Sequence, residues 1–200
     1  MKKKRDYAPD FILHKQDYQE KISFLESLEI NCNLRYAKNI LWAALEDKDI
    51  LVKITASDIL MDGDFHFNKC EQEYLRNIFA NSRSPVLRRN IIIVMAKSHC
   101  KLSIHDLIQK LHSNKNEHVI SGIYLALIIL GRNDFIEKYV DMLNASNHQV
   151  ACFIANSIPE FLGEPINLIK HKLEKKLQEK NVIAVQEAVA MAIKRVKNAE

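Results

Sequence analysis

Asp47-Lys48-Asp49-Ile50-Leu51-Val52-Lys53-Ile54-Thr55-Ala56-Ser57-Asp58-Ile59-Leu60 is the stretch on which the fold turns. A polar turn leads into Val52, Ala56 and Leu60, whose four-residue steps place them on one face of a helix. The triplet returns as Leu87, Ile91, Met95, as Val119, Ile123, Leu127, as Val150, Ile154, Ile158, and as Val185, Val189, Ile193. The leading residues are 35, 32, 31 and 35 apart. Polar turns precede the later triplets at 82–85, 114–117, 144–147 and 179–181, each with an Asx or Ser group able to cap the next helix's free amides.

Outward from these triplets, apolar residues recur at three- and four-residue intervals almost everywhere, and period-two alternation never lasts. The chain therefore reads as all-helical. Segments 18–28, 34–45, 74–80, 104–111, 135–143 and 166–177 each carry one apolar stripe opposite charges, as half-buried outer helices do. Between them, 91–96 and 123–130 are apolar almost all round, so helices there must be covered on several sides. Only four Gly and four Pro occur, against about 14 and 10 at average usage, which disfavours hairpins, sandwiches and phosphate-cradling loops. The longest uncharged apolar stretch, 122–130, is far short of the roughly 20 residues of a bilayer crossing.

Here the residues resemble the HEAT-like repeat family, whose second helix often opens with Asp-x-Asp, then Val-Arg, then Ala and Leu. Asp47 to Leu60 matches best and Leu87-Arg88-Arg89 next; Ile120, Ala151 and Gln186 replace the basic residue in later units. The resemblance implies a right-handed α-solenoid of about five helix pairs, about eleven helices in all, in one domain over 1–200. Residues 1–10 are expected as a flexible basic tail, 11–32 as an N-terminal capping helix and 33–197 as the repeats. Second helices near 48–61, 85–98, 117–130, 148–160 and 182–197 would form the inner, concave layer, which in such arrays is the binding face.

The net charge of +4 is spread evenly, with 16 basic against 14 acidic residues in the first hundred and 13 against 11 in the second. Only Lys2-Lys3-Lys4-Arg5 is dense, and no apolar signal core follows it, so a cytoplasmic protein is expected. Cys32, Cys70, Cys100 and Cys152 show no CxxC pairing and read as reduced, mostly buried thiols.

No GxxxxGK, GxGxxG, GxSxG or HExxH occurs, and the expectation is a protein that is not an enzyme and has no cofactor. His99, Cys100 and His105 are neighbours without a recognisable third and fourth metal ligand, so no metal site is expected. Asp62-Gly63-Asp64 lacks the ligand spacing of a calcium loop and reads as a helix stop, with Gly63 left-handed. His118 and His148 sit in equivalent turns, so they mark either one rim of the solenoid or ordinary polar turn positions.

With the triplets as core, the opposite strip of the inner helices is Ile54, Asp58, Met61; Arg89, Ile93, Ala96; Ser121, Leu125, Ile128; Cys152, Asn156, Pro159; and Glu187, Met191, Lys194. It is more apolar than basic, and only Lys53, Arg88 and Arg89 cluster near the first two inner helices. Part of the strip is either packing between neighbouring inner helices or open surface, and what stays exposed suits a protein partner better than phosphates. Candidate partner-binding residues are thus Lys53, Asp58, Arg88, Arg89, His118, Tyr124 and Asn156. The leading expectation is a non-catalytic protein-binding module similar in size and design to bacterial immunity proteins, which neutralise a cognate toxin by covering its active site. The alternative is a nucleic-acid-binding HEAT-like protein, of which the alkylpurine DNA glycosylases built of HEAT-like repeats are an enzymatic kind, although no aromatic and acidic cluster in a basic groove assembles here. Nucleic acid and membrane are otherwise not expected as partners. A third class, a subunit of a larger helical assembly, is opposed by Gln186, Glu187, Lys194, Arg195 and Lys197, whose charges suit a capped end.

Overall fold

A computed structural model describes residues 17–28, 34–158, 166–179 and 181–198. Lys2 to Arg5, Cys32 and Pro159 lie outside the described residues, as do most of the flanks of the expected N-terminal cap. All regular structure among the described residues is helical, without a strand, and no described helix is long and apolar enough to cross a membrane. The chain divides into two compact units between Lys101 and Leu102.

The first unit holds α1 (Tyr18–Glu26), α2 (Leu34–Leu45), α3 (Ile50–Asp62), α4 (Lys69–Asn81) and α5 (Pro85–Lys97). Helix α3 contacts α1, α2 and α5, and α4 lies against α5. The apolar character of 91–96 has the predicted consequence, since every residue from Arg89 to Ala96 is buried. Trp42 belongs to the core, with its ring 5.7 Å from Phe67 and 5.2 Å from Tyr74.

The second unit holds α6 (Ile104–Ser113), α7 (Glu117–Ile129), α8 (Ile136–Asp141), α9 (His148–Ser157), α10 (Ile166–Gln178) and α11 (Ile183–Asn198). Helix α7 contacts α6, α8 and α9, while α11 contacts α9 and α10. The single outer helix predicted over 135–143 is instead six α-helical residues between 3-10 turns at Asn133–Phe135 and Met142–Asn144. Phe135, Ile136, Tyr139, Val140 and Leu143 are still buried, so the apolar stripe persists while the hydrogen bonding tightens at both ends.

All fifteen triplet residues are buried. The capping group stands three residues ahead of each of the first four leaders: Asp49, Ser84, Asn116 and Asn147 accept from the amides of Leu51, Leu87, His118 and Gln149 at 2.8, 3.2, 3.0 and 2.9 Å. Val182 holds that place before α11 and offers only its carbonyl, to Val185 and Gln186. The ends of α5 and α7 are also alike. His99 and Gly131, each twelve residues after its leader, take the left-handed conformation with φ of 52° and 88°. Each is followed by the paired bonds of a Schellman stop: His99 N to Ala96 O and Cys100 N to Met95 O, and Gly131 N to Ile128 O and Arg132 N to Leu127 O.

Gly63 corrects an expectation. It ends α3 with φ −96° and ψ 158°, an extended conformation open to any residue. What excludes a side chain is the ring of Phe65, because a Cβ on Gly63 would lie 2.8 Å from its Cδ2 and closer still to its Cε2.

Candidate functional site

The predicted residues divide between the units: Lys53, Asp58, Arg88 and Arg89 in the first, His118, Tyr124 and Asn156 in the second. Two of the first four, Asp58 and Arg89, assemble with Ser57 around one buried amide. Asn90, fully buried on α5, donates through Nδ2 to Ser57 Oγ at 2.9 Å and to Asp58 Oδ1 at 2.6 Å. Its Oδ1 accepts from Arg89 Nε at 3.0 Å, and Ser57 Oγ donates to Ile54 O at 2.7 Å. Burial pushes the Asp58 carboxyl above the usual carboxylate range, against the opposing pull of the Arg89 charge and the Asn90 bond. The cluster therefore ties α3 to α5 through satisfied polar groups.

Adjacent in sequence, Arg88 and Arg89 diverge in space. Arg88 Nε donates to Phe79 O at 2.9 Å and its guanidinium stands 5.6 Å from the Phe79 ring centroid, which pins it to α4. Arg89 is buried beside Asn90. The expectation that Arg89 lines an open face is thus corrected, because α5 is covered on the side opposite its triplet as well. Ile93 and Ala96 are buried with it, as are Ser121, Leu125 and Ile128 on α7. Lys53 is half-buried, in the first turn of α3, where Ile50 and Leu51 remain 43% and 48% exposed.

His118 is likewise buried and does not stand on a rim. Its Nε2 is 3.2 Å from Asn147 Nδ2. The neighbouring Glu117 carboxylate accepts from Ser146 N and Oγ, both at 3.0 Å, and from Asn147 N at 2.9 Å. Burial raises the Glu117 carboxyl, but those donors outweigh it and hold the group below its ordinary value. The two turns thus clamp α7 to the start of α9. His148 is exposed. Tyr124 is half-buried, with its ring 5.9 Å from Phe135 and its hydroxyl pushed up by burial. Asn156 is exposed on α9, and its carbonyl accepts from Arg195 at 3.5 Å.

Sequence reasoning missed a pocket of about 110 Å³ in the second unit, lined by Val140, Leu143 and polar groups of α10. Lys172 reaches Asp141 at 2.5 Å and Glu137 at 3.4 Å; Lys176 reaches Glu179 at 2.9 Å and Asn144 at 3.1 Å. Burial lowers the Lys172 ammonium, yet its bond to Asp141 leads the interactions that raise it on balance. Lys175 lines the same pocket, exposed and unpaired among the described residues. The signal was the lysine run of 170–176, which reads in sequence only as the charged side of an amphipathic helix.

Among the described residues, no three His, Cys, Asp or Glu gather as metal ligands would. Cys70 is exposed, Cys152 half-buried and Cys100 buried, and burial raises the thiols of Cys100 and Cys152. Against known proteins, the chain matches no family profile, no curated protein and no solved structure.

Proposed function

We propose that the chain is a right-handed α-solenoid of about five HEAT-like helix pairs with an N-terminal cap. In this reading it works in the cytoplasm as a non-catalytic protein-binding module, in the manner of an immunity protein that occludes the active site of a cognate toxin. Five helices with one buried register, and four caps at one offset from it, support the repeat reading.

The observation that carries the binding reading is the opening turn of α3. There two consecutive large apolar side chains, Ile50 and Leu51, stay nearly half exposed beside the ammonium of Lys53, which is unpaired among the described residues. Apolar anchors next to a steering charge suit a protein surface. Arg88 and Arg89 are both engaged internally, so the basic cluster that favoured nucleic acid is reduced to Lys53.

The test is capture of partners from the native host by the tagged chain, read by mass spectrometry, with an Ile50→Ser, Leu51→Ser variant as control. A single stoichiometric protein, lost with the variant while helicity is unchanged, supports the reading. Recovery of RNA or DNA in its place, with binding that weakens steeply as salt rises, overturns it in favour of the nucleic-acid alternative.

A further inference from the structure

Helix α11 turns Val185, Ala188, Val189, Ala192, Ile193 and Val196 into the core. Its other side is Ile183, Ala184, Glu187, Ala190, Met191 and Lys194, all exposed, with Ile183 at 71% and Met191 at 52%. Counted from the triplet leader, Glu187, Met191 and Lys194 are equivalent to Arg89, Ile93 and Ala96 on α5 and to Ser121, Leu125 and Ile128 on α7. Those six are buried. The helix face that the rest of the chain covers in two earlier repeats is therefore uncovered in the last.

We propose that this face binds a second copy of the chain, with two α11 helices packed antiparallel about a two-fold axis between Ala190 and Met191. The charges on the face select that occupant. Glu187 and Lys194 form no ion pair within the chain among the described residues. Glu187 stands three residues before Ala190 and Lys194 three residues after Met191, so in an antiparallel pair with this axis each Glu187 meets the other copy's Lys194. A parallel pair would set Glu187 against Glu187 and Lys194 against Lys194, which is repulsive at both levels. The arrangement is thus self-complementary in one orientation only, as a two-fold contact requires.

The packing surface agrees with the charges. Ile183, Glu187, Ala190 and Lys194 are spaced four, three and four, the seam of paired helices, and Ala190 at its centre allows close approach of the two backbones. Thirteen residues from Ile183 to Arg195 span only about 20 Å. One helix face of that length buries less than the roughly 800 Å² per partner of a standard interface. The dimer is accordingly weak, and because the contact closes on itself it ends at two copies.

Sedimentation velocity of the full chain from about 10 µM to 1 mM tests this. Monomer at the low end passing to dimer, and to nothing larger, is the expected result. Lys194→Glu and Glu187→Lys singly each turn two attractions into two repulsions and should weaken the dimer about tenfold or more. The double variant E187K/K194E restores the parent constant within about threefold, and an equimolar mixture of the two single variants associates more tightly than either alone. All these positions are exposed, and unchanged circular dichroism verifies folding. A chain that stays monomeric at 1 mM, a dimer indifferent to Lys194→Glu, failure of the double variant to recover, or growth beyond two copies each overturns the proposal.

Discussion

Lys21 Nζ lies 2.6 Å from Asp47 Oδ2, with 6% and 2% of the two side chains exposed. The pair joins α1 to the turn before α3. The other oxygen of Asp47 accepts from Asp49 N at 2.8 Å, and Asp49 in turn caps α3. A lysine on the first described helix therefore holds the turn that starts the first triplet. Burial favours the protonated Asp47, but the Lys21 bond leads the interactions that outweigh it, and the carboxyl sits below its ordinary value.

Replacing Lys21 by Met should cost about 3–5 kcal/mol at pH 7, because it leaves a carboxylate buried without its cation. The pH dependence gives a second readout. A folded-state value below the unfolded one stabilises the protein above about pH 4, and this contribution is lost as pH falls through the depressed value. In Lys21→Met the Asp49 amide and the Lys48 charge still oppose burial, but Asp47 loses the leading interaction that holds it down and titrates higher than in the parent, so the substitution should cost least in acid. Thermal melts of both proteins between pH 3 and 7 should therefore converge on the acid side; parallel curves would refute the assignment.

Asp58 has the opposite sign. Its folded value is raised, so its contribution to stability diminishes as pH climbs from about 4 through that value. Asp58→Asn keeps an acceptor for Asn90 Nδ2 without the buried charge. It should be neutral to stabilising by up to about 1 kcal/mol at pH 7 and should remove the fall in stability that Asp58 contributes as pH climbs above about 4. Asn90→Leu removes the group that satisfies Ser57, Asp58 and Arg89 together, and should cost about 2–3 kcal/mol. Urea titrations of the two variants at pH 7 rank them, and equal losses would show that the cluster is not organised by Asn90.

What the sequence made legible follows from what repeats in it. A period of 3.6 residues fixes the face of a helix, so the triplets named the buried side of five helices, and the Asp, Ser and Asn ahead of them named four helix starts. The direction of a long side chain is not encoded that way. Arg88 and Arg89 are neighbours in one basic dipeptide, yet one reaches Phe79 on α4 and the other Asn90 and α3. His118 looked like a turn residue because the partner that buries it, Asn147, comes 29 positions later. The pocket beneath α10 depends on Asp141 and Asn144, more than 30 residues from the lysines that reach them. Gly63 read as a left-handed stop because glycine commonly is one, whereas the ring of Phe65 sets the requirement.

Equivalent repeat positions provide a direct test of register. Ile93 and Met191 both stand six residues after their leaders, the first fully buried and the second half exposed. Ile93→Asp should abolish folding or cost more than about 4 kcal/mol, since a carboxylate would enter a core with no partner for it. Met191→Asp should change monomer stability by less than about 0.5 kcal/mol. Circular dichroism melts of dilute samples decide the matter. A folded Ile93→Asp protein would place the helix in the wrong register and remove the reason for treating α5 and α11 as equivalents.

The matched stops of α5 and α7 differ in one residue, and that difference sets up the reciprocal experiment. Both chains turn left-handed twelve residues after the leader, but α7 uses Gly131 and α5 uses His99. A Cβ at Gly131 would meet nothing within 4 Å, so the cost of adding one is that of the backbone conformation alone. Gly131→Ala should therefore lose about 1 kcal/mol. His99 is exposed and already bears that cost, so His99→Gly should gain about 0.5–1 kcal/mol after allowing for the freer unfolded chain. Thermal melts of both variants at one fixed concentration and pH would show opposite shifts. A loss of stability in His99→Gly would mean that the imidazole itself holds the end of α5.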